Sequence, residues 1–326
     1  PEGLKRITVV LYKNGPGYGN LAGTELLAKS IKDQFKGADI TIALDDWDQD
    51  GRDYVELMPR LKKAGFEKIV FFHNMRSLPE TDIALIYGKR DANLEYFNYD
   101  VDAISAKVIF HIPIYGFATG GVDYPLERIL TYKKRNQLNI ALPTGDFTQG
   151  FTNLFLDKAI TRRSLEIRQM TEDQVREARR NILNEARKFF DRERFPGSER
   201  TSPNFDQLLS LPWGYVYAQD NVSFGEYLEN VKKQVARTNK EVVLFIVPGS
   251  GIGKEYPDVL SNLPSKIHYI VLARYFSQKD LYNQIFLLTG QFVDIDGAKK
   301  LQGAFPNLIT GDQSLGEALS ALKVFV

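Results

Sequence analysis

The sequence predicts an α/β protein made of two doubly wound domains. Short apolar runs alternate with helical stripes along both halves of the chain. The runs are rich in β-branched residues and lack polar alternation, the mark of strands buried on both faces in a parallel sheet. At 326 residues the chain is too long for one ordinary core and comfortable for two.

The first strand is Ile7–Tyr12, ITVVLY. A glycine-rich turn follows, Lys13 through Gly23, with Gly15, Gly17 and Gly19 at alternate positions. A helical segment then runs to about Phe35, with Leu27, Ala28, Ile31 and Phe35 on one stripe. Strand, glycine-rich turn and helix together let a ligand approach the backbone closely. The spacing is not G-x-G-x-x-G, although Gly17-x-Gly19-x-x-x-Gly23 comes near it, so a nicotinamide site has only a weak basis.

Ile40–Leu44 is the second strand, followed by the acidic loop Asp45–Asp53. Asp46-x-Asp48-x-Asp50-Gly51 matches the first half of a calcium loop. However, the twelfth position is Leu57, and a strand rather than a helix precedes the loop. We therefore expect no metal site and read the cluster as a solvated loop that could offer a carboxylate base, Asp46. A helix over Glu56–Lys63 and apolar runs at Lys68–His73, Ile83–Tyr87, Lys107–His111 and Leu138–Leu142 continue the rhythm. His73 and His111 fall at strand ends, where doubly wound sheets face their ligands. His111, followed by the glycine-rich Tyr115–Gly121, is the stronger candidate for a general base.

Thr171–Phe195 reads as the clearest helix. Thr171 and Gln174 form a capping-box pair, and Val175, Ala178, Ile182, Ala186, Phe189 and Phe190 keep helical spacing. Pro196-Gly197 stops it, and the polar stretch beyond reads as a linker, which puts the domains at 1–200 and 201–326.

The second half repeats the pattern: a strand at Gly214–Ala218, a helix stripe Phe224, Tyr227, Leu228, Val231 and Val235, and strands at Val242–Val247 and Ile267–Ala273. Pro248–Lys254 is not a phosphate-binding P-loop, because Pro248 stands where the first glycine belongs and Glu255 where Ser or Thr should hold magnesium. Arg274–Tyr282 enters a helix with Ser277 as its expected cap and Asp280 at the third helical position, while His268 reads as structural. Asn307–Ile309 is a further strand, leading into Thr310-Gly311-Asp312-Gln313-Ser314 and a helical pattern in which Glu317 can close a capping box with Ser314. A glycine-bearing turn that opens a helix aims free N–H groups and positive dipole at one point, which suits a diphosphate. Leu142-Pro143-Thr144-Gly145-Asp146 echoes this motif in the first half.

Composition excludes several functions. Net charge is +1, with no general electrostatic case for nucleic acid or an anionic membrane. There are no cysteines, hence no disulfide, thiolate metal site or cysteine nucleophile. No apolar run reaches the length of a membrane span and no signal peptide is visible, so we expect a cytoplasmic protein.

Two α/β halves with a glycine-rich loop after the first strand resemble the GT-B glycosyltransferases, whose two Rossmann-like domains face a cleft. The order Arg274-Tyr275-Phe276-Ser277-Gln278-Lys279-Asp280-Leu281-Tyr282, then Asn307 to Ser314, is similar to that of the protein-arginine rhamnosyltransferases. In that family an Arg/Gly-Glu-Asp-Ser turn grips the donor diphosphate. Gly311, Asp312 and Ser314 match it, and Thr310 and Gln313 depart from it. The family's N-terminal loop carries an Asp base where this chain has Asn14 and Asn20, which leaves the base unassigned. The family usually ends in helices that this chain lacks, so it is either a fragment or a departure.

The resemblance implies a nucleotide-sugar co-substrate, such as a UDP- or dTDP-sugar, with no other cofactor and no metal. The acceptor is unassigned, a protein being one option. Expected donor contacts are Gly17, Gly19, Asn20, Tyr275, Phe276, Gly311, Asp312, Gln313, Ser314 and Glu317, with Asp46 and His111 as candidates for the base. The alternatives are a nucleotide-sugar epimerase of the same architecture, a non-catalytic nucleotide-binding module and, more weakly, a nicotinamide-dependent dehydrogenase.

Overall fold

The computed structural model describes residues 6–11, 19–45, 52–72, 78–87, 104–112, 138–141, 157–190, 199–200, 205–249, 252, 256–290, 307–309 and 320–321. The chain divides into two compact units, Pro1–Phe155 and Leu156–Val326.

In the first unit β1 (Arg6–Leu11), α1 (Gly19–Gln34), β2 (Asp39–Asp45), α2 (Arg52–Lys63), β3 (Lys68–Phe72), β4 (Thr81–Tyr87), β5 (Ala106–Ile112) and β6 (Leu138–Ala141) follow in turn. Their strands form one parallel sheet in the order β3-β2-β1-β4-β5-β6. This is the doubly wound order, in which the chain reverses direction across the sheet between β1 and β4. The register pairs Val9 with Ile42 on one side and Leu85 on the other. Val9, Val10, Leu11, Ile42 and Leu44 are fully buried, as the unalternating apolar runs require.

The second unit opens on α3 (Lys158–Arg168) and α4 (Glu172–Ala186), with a 3-10 turn over Arg187–Phe189. Then come β7 (Glu199–Arg200), α5 (Phe205–Ser210), β8 (Trp213–Ala218), α6 (Asn221–Thr238), β9 (Val242–Pro248), α7 (Tyr256–Ser261), β10 (Ile267–Val271), a 3-10 turn over Phe276–Gln278, α8 (Lys279–Leu287) and β11 (Leu308–Ile309). The sheet order is β11-β8-β9-β10-β7, parallel except for the antiparallel edge strand β7. Its parallel part therefore repeats the inner order of the first sheet, with the reversal between β8 and β11.

Alternation along β8 divides this unit's core. Trp213 and Tyr215 join the cluster beneath α3, α4 and α8, while Val216 and Ala218 join the one beneath α6. Trp213 anchors the first cluster. Its indole N–H donates to the Leu208 carbonyl at 2.8 Å and its ring lies 4.6 Å from that of Phe245. Arg179 reaches in from α4 to lie 4.7 Å over the same indole, donating to the carbonyls of Leu209, Leu211 and Leu288. Burial pulls this guanidinium down to about 10.

The boundary expected at 200/201 falls inside the second unit. Ile160, Ile167, Ile182, Leu183 and Ala186 from α3 and α4 share one core with Trp213, Phe245 and Ile285. The stretch read as a linker contributes β7 to the sheet and carries α5. The capping box of Thr171 and Gln174 is present, but α4 ends at Ala186 rather than near Phe195. Phe190 is extended instead, and forms a bridge with Leu272 beside β10. Among the described residues no helix is long and apolar enough to cross a membrane.

Candidate functional site

In a doubly wound sheet, ligands meet the carboxyl ends of the strands at the point where the order reverses. Each unit offers one such edge. In the first it lies at Leu11 and Tyr87, the ends of β1 and β4. α1 begins at Gly19, so Gly19 and Asn20 are its first two residues and Gly23 lies inside the helix rather than in the turn before it. A methyl group on Gly23 would stand 2.0 Å from the Tyr87 hydroxyl oxygen, so glycine is what lets α1 settle against the end of β4. His111 is the penultimate residue of β5, at its carboxyl end as expected. Asp46 and His73 directly follow β2 and β3 in sequence. These two residues and Gly17 lie outside the described residues.

In the second unit the edge is formed by β8, β9, β10 and β11. Ile309 pairs with Tyr217, and the motif from Thr310 onward follows Ile309 directly in the chain. Gly311, Asp312, Gln313, Ser314 and Glu317 lie outside the described residues. The exits of β8 and β9 are drawn together, with Gly249 donating to the Ala218 carbonyl at 2.7 Å. A methyl there would lie 2.6 Å from that oxygen and 2.7 Å from the Gln219 Cα.

Asp220 caps α6, its carboxylate accepting the Ser223 amide at 2.8 Å and the Ser223 hydroxyl at 2.9 Å. Above the sheet the Arg274 guanidinium carbon lies 5.7 Å from the centre of the Tyr217 ring. Gln219 donates from Nε2 to the Tyr217 hydroxyl at 3.3 Å.

The two aromatic residues expected at this edge differ. Tyr275 is 48% exposed, whereas Phe276 is 1% exposed. Tyr275 has extended backbone, which turns successive side chains to opposite sides, so one ring faces solvent and the next enters the core. Phe276 therefore has no free face for a ligand ring, which corrects the expectation for that residue.

Ser277 does not cap α8. The helix starts through the 3-10 turn with Gln278 as N-cap and no side-chain cap, and Asp280 is its second residue. The Tyr282 hydroxyl fixes the entry instead, accepting from the Tyr275 amide at 3.0 Å and donating to the Ala273 carbonyl at 2.5 Å. His268 lies near the amino end of β10, 2.9 Å from Glu241, on the opposite edge from the ligand side and in keeping with a structural role.

Tyr217, Gln219 and Arg274 were not singled out from sequence as site residues. Tyr217 and Gln219 flank the end of a predicted strand, and Arg274 follows another. Asking which polar side chains leave strand ends would have found all three.

Fold and edge together define a two-unit α/β protein built twice on the Rossmann-like plan. No protein-family model and no curated protein matches the chain. Among solved structures it is similar to the crystal structure of MurG from Acinetobacter baumannii, with a TM-score of 0.43 and 10% identity, over 97% of this chain and 76% of that one. The strand orders, rather than this likeness, carry the fold assignment.

Proposed function

We propose that the chain is a glycosyltransferase that takes a sugar from a nucleotide-sugar donor bound to the second unit. What supports this reading is the position of β11. It pairs with β8 where the strand order reverses, and the Gly-Asp-Gln-Ser motif resembling a diphosphate-gripping turn follows its last residue. On this reading the N–H groups of Gln313, Ser314 and Leu315 receive the diphosphate, which leaves without a metal because helix-start donors meet the charge as it develops. Tyr275, exposed beside the edge, offers a face for the base or sugar. The donor base, the sugar and the likeness to rhamnosyl transfer belong to this proposal, as does a protein acceptor.

The catalytic base is to be sought at the carboxyl edge of the first sheet. Asp46 follows β2 in sequence, and His111 is the penultimate residue of β5. Three strand intervals separate β2 from β5, roughly 14 Å at the usual spacing. β2 and β5 therefore stand on either side of the β1/β4 reversal. A single base suits inverting transfer, whereas an epimerase of this architecture needs paired groups.

A thermal-shift screen against UDP, GDP, dTDP, CMP and NAD, with and without divalent metal, tests the reading. The expected result is a selective, metal-independent shift by one nucleoside diphosphate, lost in the Gln313→Ala/Ser314→Ala double variant. A shift by NAD alone would replace it with a dehydrogenase. Donor turnover without an acceptor would favour the epimerase, and binding without turnover a non-catalytic module.

A further inference from the structure

We propose that the outer edge of β3, with the side of α2 next to it, is where a second copy of this chain docks. β3 closes the order of the first sheet, and among the described residues no strand pairs with its outer side. Such edges are usually guarded by charge, proline or a bulge. Lys68–Phe72 reads KIVFF, with no proline, and its one charged side chain, Lys68, is drawn back to Asp39 of β2. Apolar side chains stand in solvent here instead. Val55 of α2 is 70% exposed and Phe71 of β3 is 45% exposed, while Leu138, the other large apolar residue exposed in the described part of this unit, lies on β6 at the far edge. The Phe71 ring meets that of Tyr54 edge-on at 5.8 Å, so Phe71 and Ile69 share the sheet face that α2 covers. At the helical repeat, Val55 and Met58 fall on the side of α2 away from Arg60, which reaches Glu25 of α1. They therefore face the open edge.

A two-fold axis at Val70 pairs β3 with its copy in antiparallel fashion, Ile69 opposite Phe71 and Lys68 opposite Phe72. Opposed side chains then share a face, as the pleat requires. Each α2 joins β2 to β3 and covers that pair, so its axis lies about half a strand spacing inside the edge. The two helices come to lie about 10 Å apart across the seam, an ordinary helix-packing distance. Val55 and Met58 of one copy thus meet those of the other, a cover that an extended peptide added to the edge does not bring. Charge agrees with this pairing. Lys68 does not face its own counterpart, and exposed Glu67, at the amino end of β3, comes toward the N-terminal end of the second copy's α2, where the helix dipole favours a carboxylate.

Sedimentation velocity of the whole chain over a range of concentrations tests this. The seam is short, so a reversible dimer with a micromolar dissociation constant is expected. Val55→Lys and Phe71→Lys should each weaken it about tenfold or more, and Glu67→Lys about threefold. A wild-type chain that stays monomeric at high micromolar concentration overturns the inference, as does a dimer that Val55→Lys leaves unchanged. Because the chain has no cysteine, cross-linking can read the register. Oxidising an equal mixture of Ile69→Cys and Phe71→Cys should yield linked dimers, whereas neither variant alone should, since like positions then lie too far apart for a disulfide. Links in either variant alone, or none in the mixture, overturn the seam centred on Val70. If a β3 variant does not melt cooperatively, Val55→Lys and Glu67→Lys carry the comparison, and unchanged association in both overturns the inference.

Discussion

The helices that follow β1 and β8, α1 and α6, occupy the same place in the same topology and begin on different residues. α1 follows a glycine-rich stretch and has no acidic residue in its first turn. α6 follows β8 through Gln219 and Asp220, and the aspartate binds the helix's own N-terminus. One helix start thus leaves the positive end of its dipole unmatched by an acid of its own, while the other is neutralised from within. A shared strand order therefore does not fix the charge at the helix start that follows the matching strand. The units also bury charge differently. In the first, Glu25 on α1 binds Arg60 of α2 at 2.8 and 3.2 Å and Lys29 at 2.5 Å. In the second, Arg179 is held by backbone carbonyls and an indole ring.

The two tryptophans, Trp47 in the first unit and Trp213 in the second, allow each unit to be followed separately. The largest expected effect is at Arg179. Arg179→Ala should destabilise the second unit by about 3 kcal/mol, by opening space beside Trp213 and orphaning carbonyls, read by Trp213 fluorescence in a Trp47→Phe background during urea unfolding. A loss within noise would show that those carbonyls have other donors.

Next is Gly23→Ala, expected to cost the first unit about 2 kcal/mol through its clash with Tyr87. Pairing it with Tyr87→Leu should recover part of that loss, and no recovery would place the strain elsewhere.

Acid should separate the units further. Burial raises the Glu25 carboxyl, but Arg60 and Lys29 together outweigh it and hold the group below its usual 4.5. That stability is fully present above the usual value and is lost as pH falls through the depressed one, so the first unit should lose midpoint urea concentration in acid. Arg179 does not titrate there, and Glu25→Gln should flatten the first unit's pH profile. A profile unchanged by that substitution would remove Glu25 as the cause.

The smallest effect, about 1 kcal/mol, is expected for Asp220→Ala, which uncaps α6. Trp213-monitored urea unfolding reads it, and an unchanged midpoint would show that the Ser223 amide is satisfied without the carboxylate.

Much of the architecture was legible because apolar runs reveal fully buried strands. The α6 stripe of Phe224, Tyr227, Leu228, Val231 and Val235 is buried as its spacing predicts. α3 escaped notice because its buried face reads Ile160, Ser164, Ile167, with a polar residue where the stripe needs an apolar one. Missing it displaced the domain boundary, and Phe189 and Phe190, in helical register but not in α-helix, displaced it further. At the candidate site the residue types near Arg274 and Tyr275 drew attention. The pairing of Arg274 with Tyr217 did not, since it depends on β9 lying between their strands, a fact of topology rather than spacing.

Ser164 also carries a consequence for how the second unit could be cut and rejoined. Its hydroxyl donates to the Ala321 carbonyl, and the Ser320 hydroxyl accepts the Asp157 amide at 2.8 Å. Residues more than 150 positions apart in sequence, at the two borders of the unit, are therefore neighbours in space. A short bridge from just after Ala321 to just before Asp157, with new ends opened in an exposed turn such as the one between α6 and β9, would give a circular permutant with the same core. Shortening the chain to end before Ser320 would instead strip one hydrogen bond from the N-cap of α3 and one from its middle, and loosen the unit at its opposite border.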